Sequence, residues 1–217
     1  MQIFPGHYCI GYLIYNVYCW ILGTAPTLLG IVLAIIFALL PDIDALLLVI
    51  RRIRGVKSRK FGIEFKHHEL PTHFPIVYSP LIILVILLPN IYTISIVTVI
   101  YVHLFVDSFC TSDGIKWLYP FNKKYYGFLN DKTKGKHGIL WQNEYMTTPL
   151  YKIEFVLLVA TCSIMWLNHI FYYKAPTWGV ALLGGLVICF LIGAFLVERV
   201  HVKYVKAKAI EEKAEIQ

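Results

Sequence analysis

The stretch Tyr101-Val102-His103-Leu104-Phe105-Val106-Asp107 closes an apolar run that begins near Ile91. Such a run predicts a helix, and a spacing of four residues then puts His103 and Asp107 on one face, a turn apart. Both side chains can ligate a divalent metal, and both are costly inside a bilayer without a partner or a function. The plainer alternative is a histidine and an aspartate that satisfy each other by one hydrogen bond near the headgroups. The choice between them turns on whether other ligand-type residues converge on the same place.

Outward from that run the chain is strongly apolar. Of 217 residues, 58% are hydrophobic and 15% are charged, and the mean hydropathy is +0.65, a composition that excludes an ordinary soluble domain. Apolar segments at 8–23, 27–40, 74–88, 91–105, 153–173 and 178–197 predict an all-α membrane protein of about six transmembrane helices. The first is barely long enough to span. Residues 1–200 read as one polytopic membrane domain, with a helical hairpin over 153–199 and a charged tail over 201–217.

The net charge of +7 is informative through its distribution. Seven cations lie from Arg51 to Lys66, seven from Lys116 to Lys152 and five from Arg199 to Lys213, which leaves only Lys174 of twenty. Six spans put all three regions on one side, and the positive-inside rule makes that side cytoplasmic, with both termini there. The basic face suits anionic headgroups of the lipid bilayer. No motif supports a nucleic-acid partner. Cys9, Cys19, Cys110, Cys162 and Cys189 are odd in number and lack metal-ligand spacing, so neither a disulfide framework nor a zinc finger is expected. The N-terminus has no basic region before its apolar stretch, which argues against a cleaved signal peptide.

Placed on this topology, the ligand-type residues fall in one layer. His7 opens the first span; Asp42 and Asp44 end the second in Pro41-Asp42-Ile43-Asp44. His67, His68 and His73 precede the third, His103 and Asp107 end the fourth, and Glu154 opens the fifth. Aspartate and imidazole without cysteine are the ligands of zinc, manganese and iron sites. Plainer readings stand beside this one: His7 as an interfacial histidine, Asp44 as a helix cap, one of His67 and His68 as surface. His137 and His169 fall outside the pattern and read as structural, His201 belongs to the charged tail, and Glu64, Glu69 and Glu144 read as solvated loop charges.

The motifs Leu39-Leu40-Pro41-Asp42-Ile43-Asp44, His68-x-x-x-Thr72-His73, His103-x-x-x-Asp107, then Thr111, Gly114 and Trp117-Leu118-Tyr119-Pro120-Phe121 come in a recognisable order. With Gly6-His7 before them, they resemble the membrane-bound metal-dependent hydrolases of bacteria and archaea, also labelled LexA-binding and inner-membrane-associated. The resemblance covers about residues 6–156. A fainter likeness reaches the zinc phospholipase C and P1-type nucleases, which makes phosphoester hydrolysis the expected reaction by analogy. One position departs from the family pattern His-Arg-Gly-x-Thr-His: Glu69 stands where the arginine is usual.

The resemblance implies a divalent metal site of one or two ions, zinc or manganese, with His7, Asp42, His68, His73, His103 and Asp107 as ligands. Asp44 or Glu154 would bridge, orient water or act as base. The substrate would be a membrane-associated ester, such as a phospholipid or an isoprenoid phosphate. The lysine-rich loop with Trp117, Tyr119, Phe121, Tyr125, Tyr126 and Trp141 would lie in the membrane interface and steer an anionic headgroup. Two other classes share some of these features. One is a proton- or ion-coupled transporter using His103, Asp107, Asp42 and Asp44; the other is a non-catalytic anchor or regulator. The LexA-binding label implies a cytoplasmic protein partner, but no stretch of the sequence specifies one.

Overall fold

The computed structural model describes residues 6–43, 68, 70–110, 114–127 and 145–173, with scattered positions from 177 to 203. All regular elements among them are helical, apart from an isolated antiparallel bridge between Ile115 and Tyr126. The chain divides into two compact units, Met1–Trp141 and Gln142–Gln217.

The first unit is built on α1 (Gly6–Ile21), α2 (Leu28–Leu39), α3 (Ser79–Leu87) and α4 (Ile91–Cys110). Local signals set these limits. Thr27 caps α2, its hydroxyl accepting from Gly30 N at 3.1 Å. Pro41 cannot continue the helix, because it has no N–H and its ring crowds the preceding turn. The chain tightens there into a 3-10 turn, Leu40–Asp42. Two further turns, Pro71–His73 and Pro75–Tyr78, each with proline at the start, lead into α3. Asn90 then caps α4, its Oδ1 accepting from Tyr92 N at 2.9 Å and Thr93 N at 3.1 Å.

Helices α1, α2 and α4 pack on one another, and α3 lies against α4. The buried residues of α2 are Gly30, Ala34 and Ala38, one stripe at a spacing of four. Small residues there let backbones approach closely. A Cβ on Gly11 would stand 2.6 Å from the Ala34 carbonyl oxygen and 2.7 Å from Ala38 Cβ, so α1 needs glycine at that crossing. Tyr15, Cys19, Ala34, Ala38 and Val99 form one buried cluster, and Tyr78, Ile100 and Leu104 a second. Apolar side chains on the outside, such as Leu28, Ile36, Ile86 and Leu87, are exposed, as lipid-facing residues would be.

The six-span expectation is not what these helices give. Two of them are long and apolar enough to cross a membrane, Ile91–Phe109 and Pro149–Phe171; Leu28–Asp42 and Pro75–Leu87 are shorter. The physical reason is proline: Pro41 halts one apolar run, and Pro75, Pro80 and Pro89 confine another to α3 with its flanking turns. Helix α1 has 16 residues, below the roughly 20 that a full crossing requires. The segment expected at 178–197 is described only at scattered positions.

In the second unit, α5 (Pro149–Phe171) buries Glu154, Leu158, Thr161 and Asn168. That spacing places them on one stripe of the helix. Pro149 sits at the first turn, where a missing N–H costs nothing. His201, which the sequence places in the charged tail, is buried.

Candidate metal centre

Several of these fold features deliver ligand-type side chains. Gly6–Ile21 begins with His7, the 3-10 turn after α2 aims Asp42, and the turn Pro71–His73 ends on His73. His68 is described just upstream of that turn, and α4 carries His103 and Asp107. His7, His68, His73, His103 and Asp107 are buried, and Asp42 is about a fifth exposed along its side chain. The structure therefore brings together all six residues expected as ligands. Asp44 lies outside the described residues, as do His67 and Glu69. Glu154 belongs to the second unit, where Tyr145 donates to its Oε2 at 2.8 Å.

The four imidazoles all turn Nε2 toward the two carboxylates. Asp107 Oδ2 faces His103 at 3.2 Å, His68 at 3.6 Å and His73 at 3.7 Å, while its Oδ1 faces His7 at 3.4 Å. Asp42 Oδ1 faces His73 at 3.5 Å and His103 at 3.6 Å, and its Oδ2 faces His7 at 3.8 Å. Most of these separations are long for N–H···O hydrogen bonds. Among the described residues, no hydrogen bond is formed by either ring nitrogen of His7 or by Nε2 of His103. The distances suit neighbouring ligands of one ion. Four ligands at about 2.05 Å around a tetrahedral ion lie about 3.3 Å from one another.

Two groups of ligand atoms lie within 4.8 Å of one another, His7, Asp42, His103 and Asp107 in one, and His68, His73 and Asp107 in the other. Asp107 is common to both. Asp107 is thus the carboxylate the two groups share among the described residues, while Asp44, one of the two bridging candidates in the sequence, lies outside them.

The tautomers are set from outside the cluster. His103 Nδ1 donates to the Ala38 carbonyl at 2.6 Å, which leaves Nε2 with its lone pair toward the carboxylates. The close packing along Gly30, Ala34 and Ala38 brings that carbonyl within reach, a link that the small-residue spacing could have signalled and that ligand counting missed. Thr72 Oγ1 lies 3.3 Å from His73 Nδ1, and Tyr78 donates to the Thr72 carbonyl at 2.7 Å, fixing the turn. The His7 and His103 rings stack with centroids 3.7 Å apart. Burial lowers the pKa of His68 to about 4, so its ring is neutral, the ligand form, at neutral pH.

The loop at 114–127 runs past the residues that follow Asp107 and His73, with Trp117 half-buried. Its Nε1 donates to Ser108 Oγ at 2.8 Å, and its ring packs against the Ile100 and Leu104 cluster. Phe121, at 91% exposed, is the aromatic that projects outward. Trp141 lies outside the described residues.

Comparison with known proteins agrees with the motif order. A family model, the YdjM inner membrane protein, matches residues 1–202. No curated protein and no solved structure matches, so the fainter likeness to zinc phospholipase C and P1-type nucleases gains no support. A match over nearly the whole chain, on residues that include the complete His/Asp cluster, makes this protein a member of the YdjM inner membrane protein family.

Proposed function

We propose that the chain is a membrane-bound metal-dependent hydrolase acting on a phosphoester or other ester of a membrane-associated substrate. The observation that carries the reading is the sharing of Asp107 by two ligand groups, which suits two divalent ions, zinc or manganese, held close together. Ions in such a site polarise a carbonyl or phosphoryl oxygen and lower the pKa of a water. The residues fit this use: four imidazoles that turn Nε2 toward two carboxylates, and an Ala38 carbonyl that holds the His103 ring through Nδ1. Asp44 remains in the proposal as a group that orients water or takes its proton, whereas Glu154 belongs to the second unit, with Tyr145 as its partner.

The site would lie at the Asp107 end of α4, which leads toward the basic segment Lys116 to Lys152, and the positive-inside rule supports a cytoplasmic placement of that end. The lipid bilayer is then the environment of the substrate as well as of the protein.

Metal analysis of the full chain purified in mild detergent tests the reading. Stoichiometric zinc or manganese in the wild type, lost in Asp107→Asn, is expected; a folded, metal-free wild type overturns it. Hydrolysis of phosphoester lipids that stops on chelation is the second expected result. Asp44→Asn should keep the metal while lowering the rate by about a hundredfold or more, the usual range for a lost general base.

A further inference from the structure

The loop at 114–127 is fastened to the residues that follow two of the six ligands. Trp117 is tied to Ser108, one residue beyond Asp107, and the Tyr119 ring lies 4.4 Å from the ring of Phe74, one residue beyond His73. The base of the loop is closed by Ile115 N donating to Tyr126 O at 3.0 Å and Tyr126 N to Ile115 O at 2.9 Å. Gly114, at a φ of 70°, makes that closure possible, since a Cβ there would stand 2.5 Å from the Tyr126 carbonyl oxygen. Ile115 is fully buried beneath it. The loop is therefore held by specific contacts on the ligand-bearing turn and on the end of α4.

Between these anchors sits Lys116. Its Nζ lies 4.5 Å from the centre of the Tyr125 ring and 5.6 Å from that of Phe74. Aromatic faces hold an ammonium in place without cancelling its charge. Among the described residues Lys116 forms no ion pair, so its three N–H donors are not committed to a carboxylate. On the same loop, Leu118 is 51% and Phe121 91% exposed, apolar groups suited to headgroup depth in a bilayer.

We propose that Lys116, seated on Phe74 and Tyr125 beside the His/Asp cluster, is the anion-binding residue of this site and takes a phosphate group. This rests on the hydrolase reading for its chemistry, since the phosphate would be the group whose ester lies at the metal centre. Lysine suits it as a compact point charge. The phosphate could come from a lipid headgroup or from a soluble phosphate compound, and the exposed Leu118 and Phe121 favour the headgroup.

The test is isothermal titration of the full metal-loaded chain in mild detergent with two probes, inorganic phosphate and micelles of phosphatidic acid in phosphatidylcholine. Metal per chain is measured on every sample. Lys116→Ala is expected to weaken phosphate-group binding at least tenfold with metal unchanged, while Lys116→Arg stays within about threefold of wild type and Lys123→Ala is silent. Weakening toward both probes assigns the site to the phosphate group itself; weakening toward the phosphatidic acid micelles alone assigns it to a headgroup in place. The proposal is overturned by a wild type that binds neither probe, by a Lys116→Ala protein that binds both as tightly as wild type or loses its metal, or by equal loss in Lys123→Ala. A metal-free wild type whose phosphate binding still depends on Lys116 would sink the hydrolase reading and leave this one standing.

Discussion

Helices α4 and α5 are similar in length and apolar character, yet 39% of the membrane-length stretch of α4 is buried and only 17% of that of α5. Both bury polar groups. On α5 these are settled locally: Tyr145 donates to Glu154 at 2.8 Å, and the Thr161 hydroxyl to the Leu157 carbonyl at 2.8 Å. On α4, His103 and Asp107 face side chains from α1, the turn after α2 and the turn before α3. The spacing there suits ligands around a common ion better than hydrogen bonds between them. A buried polar group on a long apolar helix thus says little alone; what separates a structural group from a ligand is the number of elements that converge on it.

The largest effect that could break this comparison is at Asp107. Asp107→Asn keeps the shape of the side chain and removes the charge shared by both ligand groups, so metal content should fall to near zero. If the wild type holds its metal at about a hundred times the dissociation constant, the stability lost is about 2.7 kcal/mol. Glu154→Gln on α5 should leave metal content unchanged. Equal metal loss in both variants would mean that the two helices do not differ in this way.

The next effect is at the helix crossing. Gly11→Val would push a branched side chain into Ala34 and Ala38, at about 1–3 kcal/mol for overpacking. Ala38 also holds His103, so metal affinity should drop by about tenfold or more, in the range for a disturbed supporting hydrogen bond. At Gly185 in the second unit an added Cβ would meet nothing within 4 Å, and Gly185→Ala should be neutral or stabilise by up to about 1 kcal/mol. Thermal melts with metal analysis check both. A Gly11→Val protein with wild-type melting and metal would show that the tight crossing is not needed.

The sequence made much of the cluster legible because four of the six residues in it carry a local mark. Pro41 stops a helix beside Asp42, Pro71 starts the turn that ends on His73, and His103 and Asp107 share a helical face. It did not make the span count legible. Hydropathy treats the runs at 27–40 and 74–88 as continuous apolar length, whereas prolines within and around them divide the chain into short helices and 3-10 turns. Nor did it reveal that Asp107 is the shared carboxylate, because sharing depends on how α1 and the two turns meet α4 in space. The role of Ala38 is harder to read: its contribution is a backbone carbonyl, and only the spacing of Gly30, Ala34 and Ala38 hints at the close approach that presents it.

Tyr145→Phe is the next smaller test, and it acts on the α5 side alone. The buried Glu154 carboxylate loses one donor, with a cost of about 1.5–3 kcal/mol for a hydrogen bond to a charged group, reduced by whatever other partners Glu154 has. Melting should shift while metal content holds. A shift in metal content would show that the two units are coupled through this residue, and the separation between structural and ligand polar groups would need to be redrawn.

The smallest effect sharpens the comparison at a single hydroxyl. Ser108 on α4 and Thr161 on α5 both donate back to the carbonyl four residues earlier, at 3.1 Å and 2.8 Å. That shared bond is a weak local feature of helices. Ser108 differs in also accepting from Trp117 at 2.8 Å, which ties the loop to the residue after Asp107. Ser108→Ala should therefore cost about 1 kcal/mol and weaken metal binding by a few fold, because the Asp107 end of α4 loses its tether. Thr161→Val should cost no more than that and leave metal untouched. If the two substitutions prove indistinguishable in metal affinity, the loop does not support the centre. The difference between the helices would then reside wholly in the ligands themselves.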